Sequence, residues 1–509
     1  MEILRKLAAV SVLAGIVVGP VCAASPEQCE RLAGMPDDPA SQFEGVAFSK
    51  IDSDVAISVC RDALQANPGH ANIQFWLGRS LAKAGQNGEA ADLFLHASDA
   101  NYVAAHMNLG YFYANGLGVP KDMEKAYGLY EKSVSIPSAM VTMGLMHKNG
   151  FGVSKDASKA YAFFQQASDA GEPEGHFWAG YANEKGLGTA RDIDNSIAYY
   201  RNASGLDHAH AQFRLGLIYQ DQKPQPDLAL TYFKQSATNG YAPAHQRLAH
   251  KYFYGQGVLK DIPKAIAYYQ SGAQAGNALS AYNLARIYER GDFVSKDTAK
   301  ALGLYKQSAD KGLAEAQYDY ARLLVTTNET PETLSEAVEM LEDASSQSFG
   351  KATYILAIYH RDGVHFPQNS QTHLSLLERA ANEGVTEAQY EFGYILSKGK
   401  GVAENDSEAA DWFEKAAAAG NAKAQINLGT AYLEGQGRTQ NQKLGCDWYE
   451  KAAEQKDALA EFLYGDCFIK GQGRKKNADM GIEYLFRSAE HGNVQAQEYL
   501  AMIMAFGPL

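Results

Sequence analysis

Residues 411–437 read DWFEKAAAAGNAKAQINLGTAYLEGQG, and the order of small, aromatic and turn residues in this stretch decides the fold. Ala424, Leu428, Ala431 and Tyr432 fall at i, i+4, i+7 and i+8, the spacing of one face of an α-helix. Gly429 lies inside that face, where a second helix can approach closely. A larger side chain would wedge the two apart. Six residues on, Gly435 suits the left-handed backbone that ends a helix. Upstream, Trp412 and Phe413 supply the apolar face of the preceding helix, and Gly420 marks the turn between the two.

Outward from Gly429 the same marker, a Gly or Ala after an apolar residue, recurs along the chain. It stands at Gly110, Gly144, Gly180, Gly216, Ala249, Ala285, Ala321, Ala357, Gly393, Gly465 and Ala501. Every step from Ala249 onward is 36 residues, and the earlier steps are 34, 36, 36 and 33. A period this regular predicts stacked repeats, each an antiparallel helix pair. Gly116, Gly150, Gly186, Gly255, Gly291, Gly363, Gly399 and Gly471 close first helices as Gly435 does. Asp122, Asp156, Asp192, Asp261 and Asp297 stand where second helices begin, and a carboxylate there accepts unpaired backbone N–H groups. Phe163–Phe164, Tyr199–Tyr200, Tyr268–Tyr269 and Trp448–Tyr449 are expected to form the core between repeats.

The stretches 104-AAHMNLGYFYANGLGVPKDMEKA and 411-DWFEKAAAAGNAKAQINLGTAYLEGQG resemble Sel-one-like repeats (SLR), a class of tetratricopeptide-like solenoid. The resemblance covers about residues 104–509, in eleven full units and a terminal half unit. It implies an all-α, right-handed α/α superhelical solenoid that binds macromolecules along the face of its first helices. Three units depart from the pattern, with 221-DQKPQPD, 326-TTNETPETL and 363-GVHFPQN in place of the glycine loop. Upstream, Leu77, Gly78, Leu81, Ala90, Phe94, Ala97 and Tyr102 resemble one ordinary tetratricopeptide unit. Residues 25–103 are thus expected to be an N-terminal cap with tetratricopeptide-like helices.

Residues 1–24 read as a signal peptide. Arg5 and Lys6 precede an apolar run from Leu7 to Val18, and small residues place cleavage after Ala23 or Ala24. A lipoprotein acylated at Cys22 and a buried N-terminal helix are the alternatives. No later stretch is apolar for long enough to suggest a membrane-spanning helix. Losing Glu2, Arg5 and Lys6 takes the formal net charge from −13 to −14, and so acidic a chain repels nucleic-acid phosphates. Cys29, Cys60, Cys446 and Cys467 then remain, in two sequence-local pairs. Export favours two disulfides, Cys29–Cys60 and Cys446–Cys467, over four buried thiols.

Catalytic chemistry finds little footing. The chain has no P-loop, dinucleotide fingerprint, H-E-x-x-H or G-x-S-x-G. Ser80 and Lys83 match S-x-x-K, but inside a helix and with no K-T-G elsewhere. His208 with His210, and His360 with His365, lack clustered metal-ligand partners, and no cofactor is expected. What remains is a surface. Positions two before and one after the marker share a helix face and carry Asn108, Tyr111, Trp178, Tyr181, Arg214, Arg247, Arg286 and Arg322. Four consecutive repeats each contribute an arginine, whose forked N–H groups suit a carboxylate-bearing partner. Ordinary ion pairing with neighbouring Glu and Asp is the competing explanation.

The expected function is that of an exported, non-catalytic scaffold or regulator with protein partners in the cell envelope. Bacterial relatives implied by the resemblance include a rhizobial periplasmic inhibitor of an envelope sensor kinase controlling exopolysaccharide synthesis. The patterns 29-CERLAG, 44-EGVAF and 57-ISVCRDALQANP are similar in style to it. Other relatives bind a peptidoglycan-cleaving enzyme or are secreted toward host cells. Envelope glycan or peptidoglycan binding, with Trp178 and tyrosines stacking on sugar rings, is the second expectation.

Overall fold

The computed structural model describes residues 24–36 and 38–506, so the leader expected at 1–24 lies outside it but for residue 24. Among the described residues there are 27 α-helices and no strand. Helices pack chiefly on their neighbours in sequence, and contacts group the chain into two units that meet in sequence at Ala244 and His245.

In the first unit, helices Pro26–Ala33, Ser53–Ala66, Ala71–Lys83 and Asn87–Asp99 precede the regular repeats. A Cys29–Cys60 disulfide joins the first two, with Cα atoms 4.9 Å apart. The buried Arg79 donates to the carbonyls of Ala33 (2.6 Å) and Val46 (2.9 Å), fixing the segment between them. Burial lowers its guanidinium to about 10, against the opposing pull of Asp38 and Tyr102. Gly78 meets Phe94 as the marker glycines meet their own aromatics; a Cβ there would lie 2.7 Å from the ring.

That contact explains the marker. A Cβ on Gly180 would stand 2.8 Å from the Tyr200 ring, and one on Gly429 2.7 Å from Tyr449. The two helices of a repeat therefore cross at the small residue, and the second aromatic of each pair fills the crossing. This places that ring first of all inside its own repeat, where the spacing suggested a core between repeats. The preceding ring is only half-buried at Tyr199, Tyr268 and Trp448.

Each of the nine closing glycines has φ between +59° and +78°. Asp122, Asp156, Asp192, Asp261 and Asp297 each accept the backbone N–H three residues on, as true N-caps. The second glycine of the G-x-G loops does something further. Cβ atoms at Gly118, Gly152, Gly188, Gly437 and Gly473 would collide with the carbonyls of Asn87, Met123, Ala157, Asp406 and Gln442. Each of those carbonyls belongs to the first residue of a second helix one repeat earlier. The loop is thus an inter-repeat joint as well as a cap.

The three departing loops differ as their sequences do. Gln225 precedes helix Pro226–Thr238 without a side-chain cap, while Thr330 and Thr333 form a capping box at the longer helix Pro331–Ser346. In the third, Phe366 stacks on His360 at 4.3 Å. The second disulfide, Cys446–Cys467, joins helices Gln442–Glu454 and Ala458–Lys470, with Cα atoms 6.4 Å apart.

Candidate binding surface

The positions flanking the marker line a niche between one repeat and the next. In the second unit, Phe253, Tyr254, Tyr269, Asn283, Arg286 and Phe293 surround one such recess. Four repeats on, Phe413, Asn427 and Thr430 stand at the positions of Tyr269, Asn283 and Arg286 and, with Tyr394, surround another. The architecture therefore repeats the niche, and the side chains placed in it differ from repeat to repeat.

At two of the arginines the niche is closed from within. Arg214 forks onto Glu184, with Nε donating to Oε2 at 2.9 Å and a terminal nitrogen donating to Oε1. The Tyr200 hydroxyl donates to the same carboxylate at 2.9 Å. Burial pushes the Glu184 carboxyl up, but donation by Lys185, Arg214 and Tyr200 more than offsets it and holds the group below the usual glutamate value. Arg322 repeats the arrangement, donating to Glu289 at 2.6 Å and Asp319 at 3.2 Å, while Tyr305 donates to Glu289 at 2.6 Å. Both glutamates stand four residues after a marker, on the preceding repeat.

Arg286 is different. Four residues after the preceding marker, Ala249, stands Phe253 instead of a glutamate. Among the described residues Arg286 forms neither an ion pair nor a hydrogen bond; its guanidinium lies over Tyr282, 5.7 Å from the ring centre. Burial, with Tyr254 nearby, pushes the Tyr269 hydroxyl up to about 12, and Arg286 works against that rise. Around it, Tyr254 is 60% and Phe293 47% exposed. Phe253 packs against both, at 5.0 and 5.4 Å between ring centres. Arg290 and Asp292 complete the rim. Arg247 is half-buried, and among the described residues its Nε finds no hydrogen-bond partner.

The remaining predicted positions lie in the first unit. Asn108 turns toward the cap, donating to Met35 Sδ at 3.7 Å and to the Ala104 carbonyl at 3.0 Å. Tyr111 is exposed. Trp178 stacks on Phe164 at 5.6 Å, meets Phe177 and Tyr181 edge-on, and receives Lys148 over its ring at 5.1 Å. Sequence reasoning missed Phe253, Tyr254 and Phe293. Aligning the fourth residue after each marker, and noticing Phe where Glu stands beside other arginines, would have found the first.

Other motifs have structural partners. Ser80 is wholly buried and donates to the Trp76 carbonyl at 3.0 Å. His208 caps its helix through Nδ1 and meets Glu174 through Nε2 at 2.9 Å. Among the described residues no three His, Cys, Asp or Glu side chains converge as a metal-binding group, and no helix is long and apolar enough to cross a membrane.

Helix pairs closed by left-handed glycines, joined at G-x-G loops and lined by variable niches define a helical-repeat scaffold. The chain belongs to the Sel1 repeat family. The Sel1 repeat model matches residues 103–135, 137–172, 173–208, 209–241, 242–277, 278–313, 386–421, 422–457 and 458–493. The unmatched stretch between residues 313 and 386 holds two of the three departing loops. Among solved structures, the chain is similar to a protective antigen of uropathogenic Escherichia coli displaying an SLR fold. The two share 25% identity over 88% of this chain and 97% of that one, with a TM-score of 0.56. A Sel1 repeat protein of Oxalobacter formigenes is 25% identical over 60% of this chain and 90% of its own, with a TM-score of 0.46. No curated protein matches the sequence. Sel1 repeat proteins generally mediate protein–protein interaction.

Proposed function

We propose that this chain is an exported, non-catalytic scaffold that binds protein partners in the cell envelope through the niches of its first-helix face. The observation that carries this reading is Arg286, a half-buried cation with no ion-pair or hydrogen-bond partner among the described residues, set beside exposed aromatic rings. At the same repeat position Arg322 is paired inside the chain with Glu289, so a guanidinium left unpaired beside exposed rings offers a partner's carboxylate a charge-assisted contact. Two disulfides favour an oxidising compartment, which agrees with the leader read at residues 1–24. The partner classes that fit are the ectodomain of an envelope sensor kinase, a component of exopolysaccharide control, or a peptidoglycan enzyme. Secretion toward a host remains within the same reading, given the likeness to a protective antigen.

The second reading, binding of envelope glycan, rests on Trp178 and the tyrosines of the first unit. Trp178 already engages Phe164, Phe177, Tyr181 and Lys148, which leaves less of its ring for a sugar. In-cell crosslinking of a tagged mature chain, followed by capture and mass spectrometry, tests the choice. Enrichment of one envelope protein over an unrelated periplasmic control supports the scaffold. Recovery of glycan alone, or of nothing above the control, overturns it.

A further inference from the structure

The niche at Arg286 has an internal template elsewhere in the same chain. At Arg214 a glutamate from the preceding repeat accepts the guanidinium fork and a tyrosine hydroxyl together, and at Arg322 a glutamate so placed accepts one guanidinium nitrogen and a tyrosine hydroxyl while Asp319 accepts the other nitrogen. At Arg286 the template loses its carboxylate, because Phe253 occupies the glutamate's place in the repeat. The tyrosine is retained as Tyr269, buried beneath the recess, and the fork is retained as Arg286. What has changed is that the acceptor is missing and an aromatic wall of Phe253, Tyr254 and Phe293 has been added.

Resting on the scaffold reading, we infer that the niche between residues 253 and 293 reads a glutamate side chain presented by a protein partner, with a neighbouring apolar residue lying on Tyr254 and Phe293. The partner's carboxylate takes the role that Glu184 and Glu289 play at their own niches. Its forked, charge-assisted bonds to Arg286 fix the register. The exposed rings supply the desolvated rim that strengthens those bonds. Arg290 on the rim adds a second positive charge, and Asp292 limits the site to one acidic group at a time.

The test uses the full mature chain and two synthetic peptides, Ac-Ala-Leu-Glu-Leu-Ala-amide and the same peptide with Gln for Glu, followed by isothermal titration calorimetry. The Glu peptide is expected to bind about tenfold more tightly than the Gln peptide, the size of one charge-assisted pair. Arg286→Gln should abolish that preference by removing the fork. Phe253→Glu should abolish it by the opposite route, restoring the internal acceptor, so a loss common to both variants is not a folding defect. Unchanged circular dichroism melting of both variants is the accompanying control. Equal binding of the two peptides by the unsubstituted chain, or a preference that survives Arg286→Gln, overturns the inference. A glucuronate trisaccharide that binds at this niche while neither peptide does also overturns it. Crosslinking separates the two levels: an envelope partner captured equally by the unsubstituted chain and Arg286→Gln leaves the scaffold standing and removes this subsite.

Discussion

A methyl group at Gly216 would sit 2.5 Å from the edge of the buried Phe233 ring. Neither the ring nor the helix crossing has room to give, so Gly216→Ala should lower stability by about 1–3 kcal/mol, as overpacking does. Thermal melting followed by circular dichroism checks this, and an unchanged midpoint would refute the crossing argument. The marker was legible in the sequence because smallness at a fixed period has few other causes. Glu184 was not, since its partner Arg214 stands 30 residues away and only the stacking of repeats brings them together. Its carboxyl is 2% exposed and held below the ordinary glutamate value of 4.5. A depressed folded value means the stabilisation is complete above the unfolded value and is lost as pH falls through the folded one. Glu184→Gln should therefore cost about 1–3 kcal/mol near neutral pH, less than a fully buried pair because Arg214 is partly solvated. The gap between variant and unsubstituted chain should close under acid, in urea titrations run from pH 7 down to pH 3.

At the scale of the element, helix ends were read well and loop contacts were not. A cap declares itself locally: Asp192 accepts from Asn195, and Gly186 takes φ +69°. The second glycine of the same loop, Gly188, carries no such local sign. It also takes positive φ, +71°, but its α-carbon lies against the Ala157 carbonyl of the preceding repeat. Sequence spacing cannot show that approach, because it depends on how far one repeat is displaced along the next. The two glycines therefore make different predictions. For Gly186→Ala the nearest atoms stand 3.5 Å from the new methyl, so the cost is the left-handed backbone alone, about 1–2 kcal/mol. Gly188→Ala adds a collision with backbone that cannot rotate away, and should cost distinctly more. Urea unfolding of the two variants side by side decides it; equal midpoints would mean that the loop serves only to cap its own helix.

For the whole molecule, the all-α repeat array and the two cysteine pairings were both legible, the first from the period and the second because the four cysteines fall in two sequence-local pairs. What the period could not reveal is which niche lacks its internal acid, since that is an exception within the repeat rather than its rule. The same stacking logic governs how stability spreads. In an array, each repeat draws its stability from itself and its neighbours, so a local lesion should be felt locally. The Cys446–Cys467 disulfide closes a loop of 21 residues, a constraint on the unfolded chain of about 3 kcal/mol. Replacing both cysteines by serine should speed amide hydrogen exchange in helices Gln442–Glu454 and Ala458–Lys470, and less so in the flanking Ala422–Glu434 and Ala478–Glu490. Helices Ala71–Lys83 and Asn87–Asp99, in the other unit, should exchange as before. Exchange that rises evenly through all of these helices would instead require one cooperative unit, in which the disulfide stabilises every repeat at once.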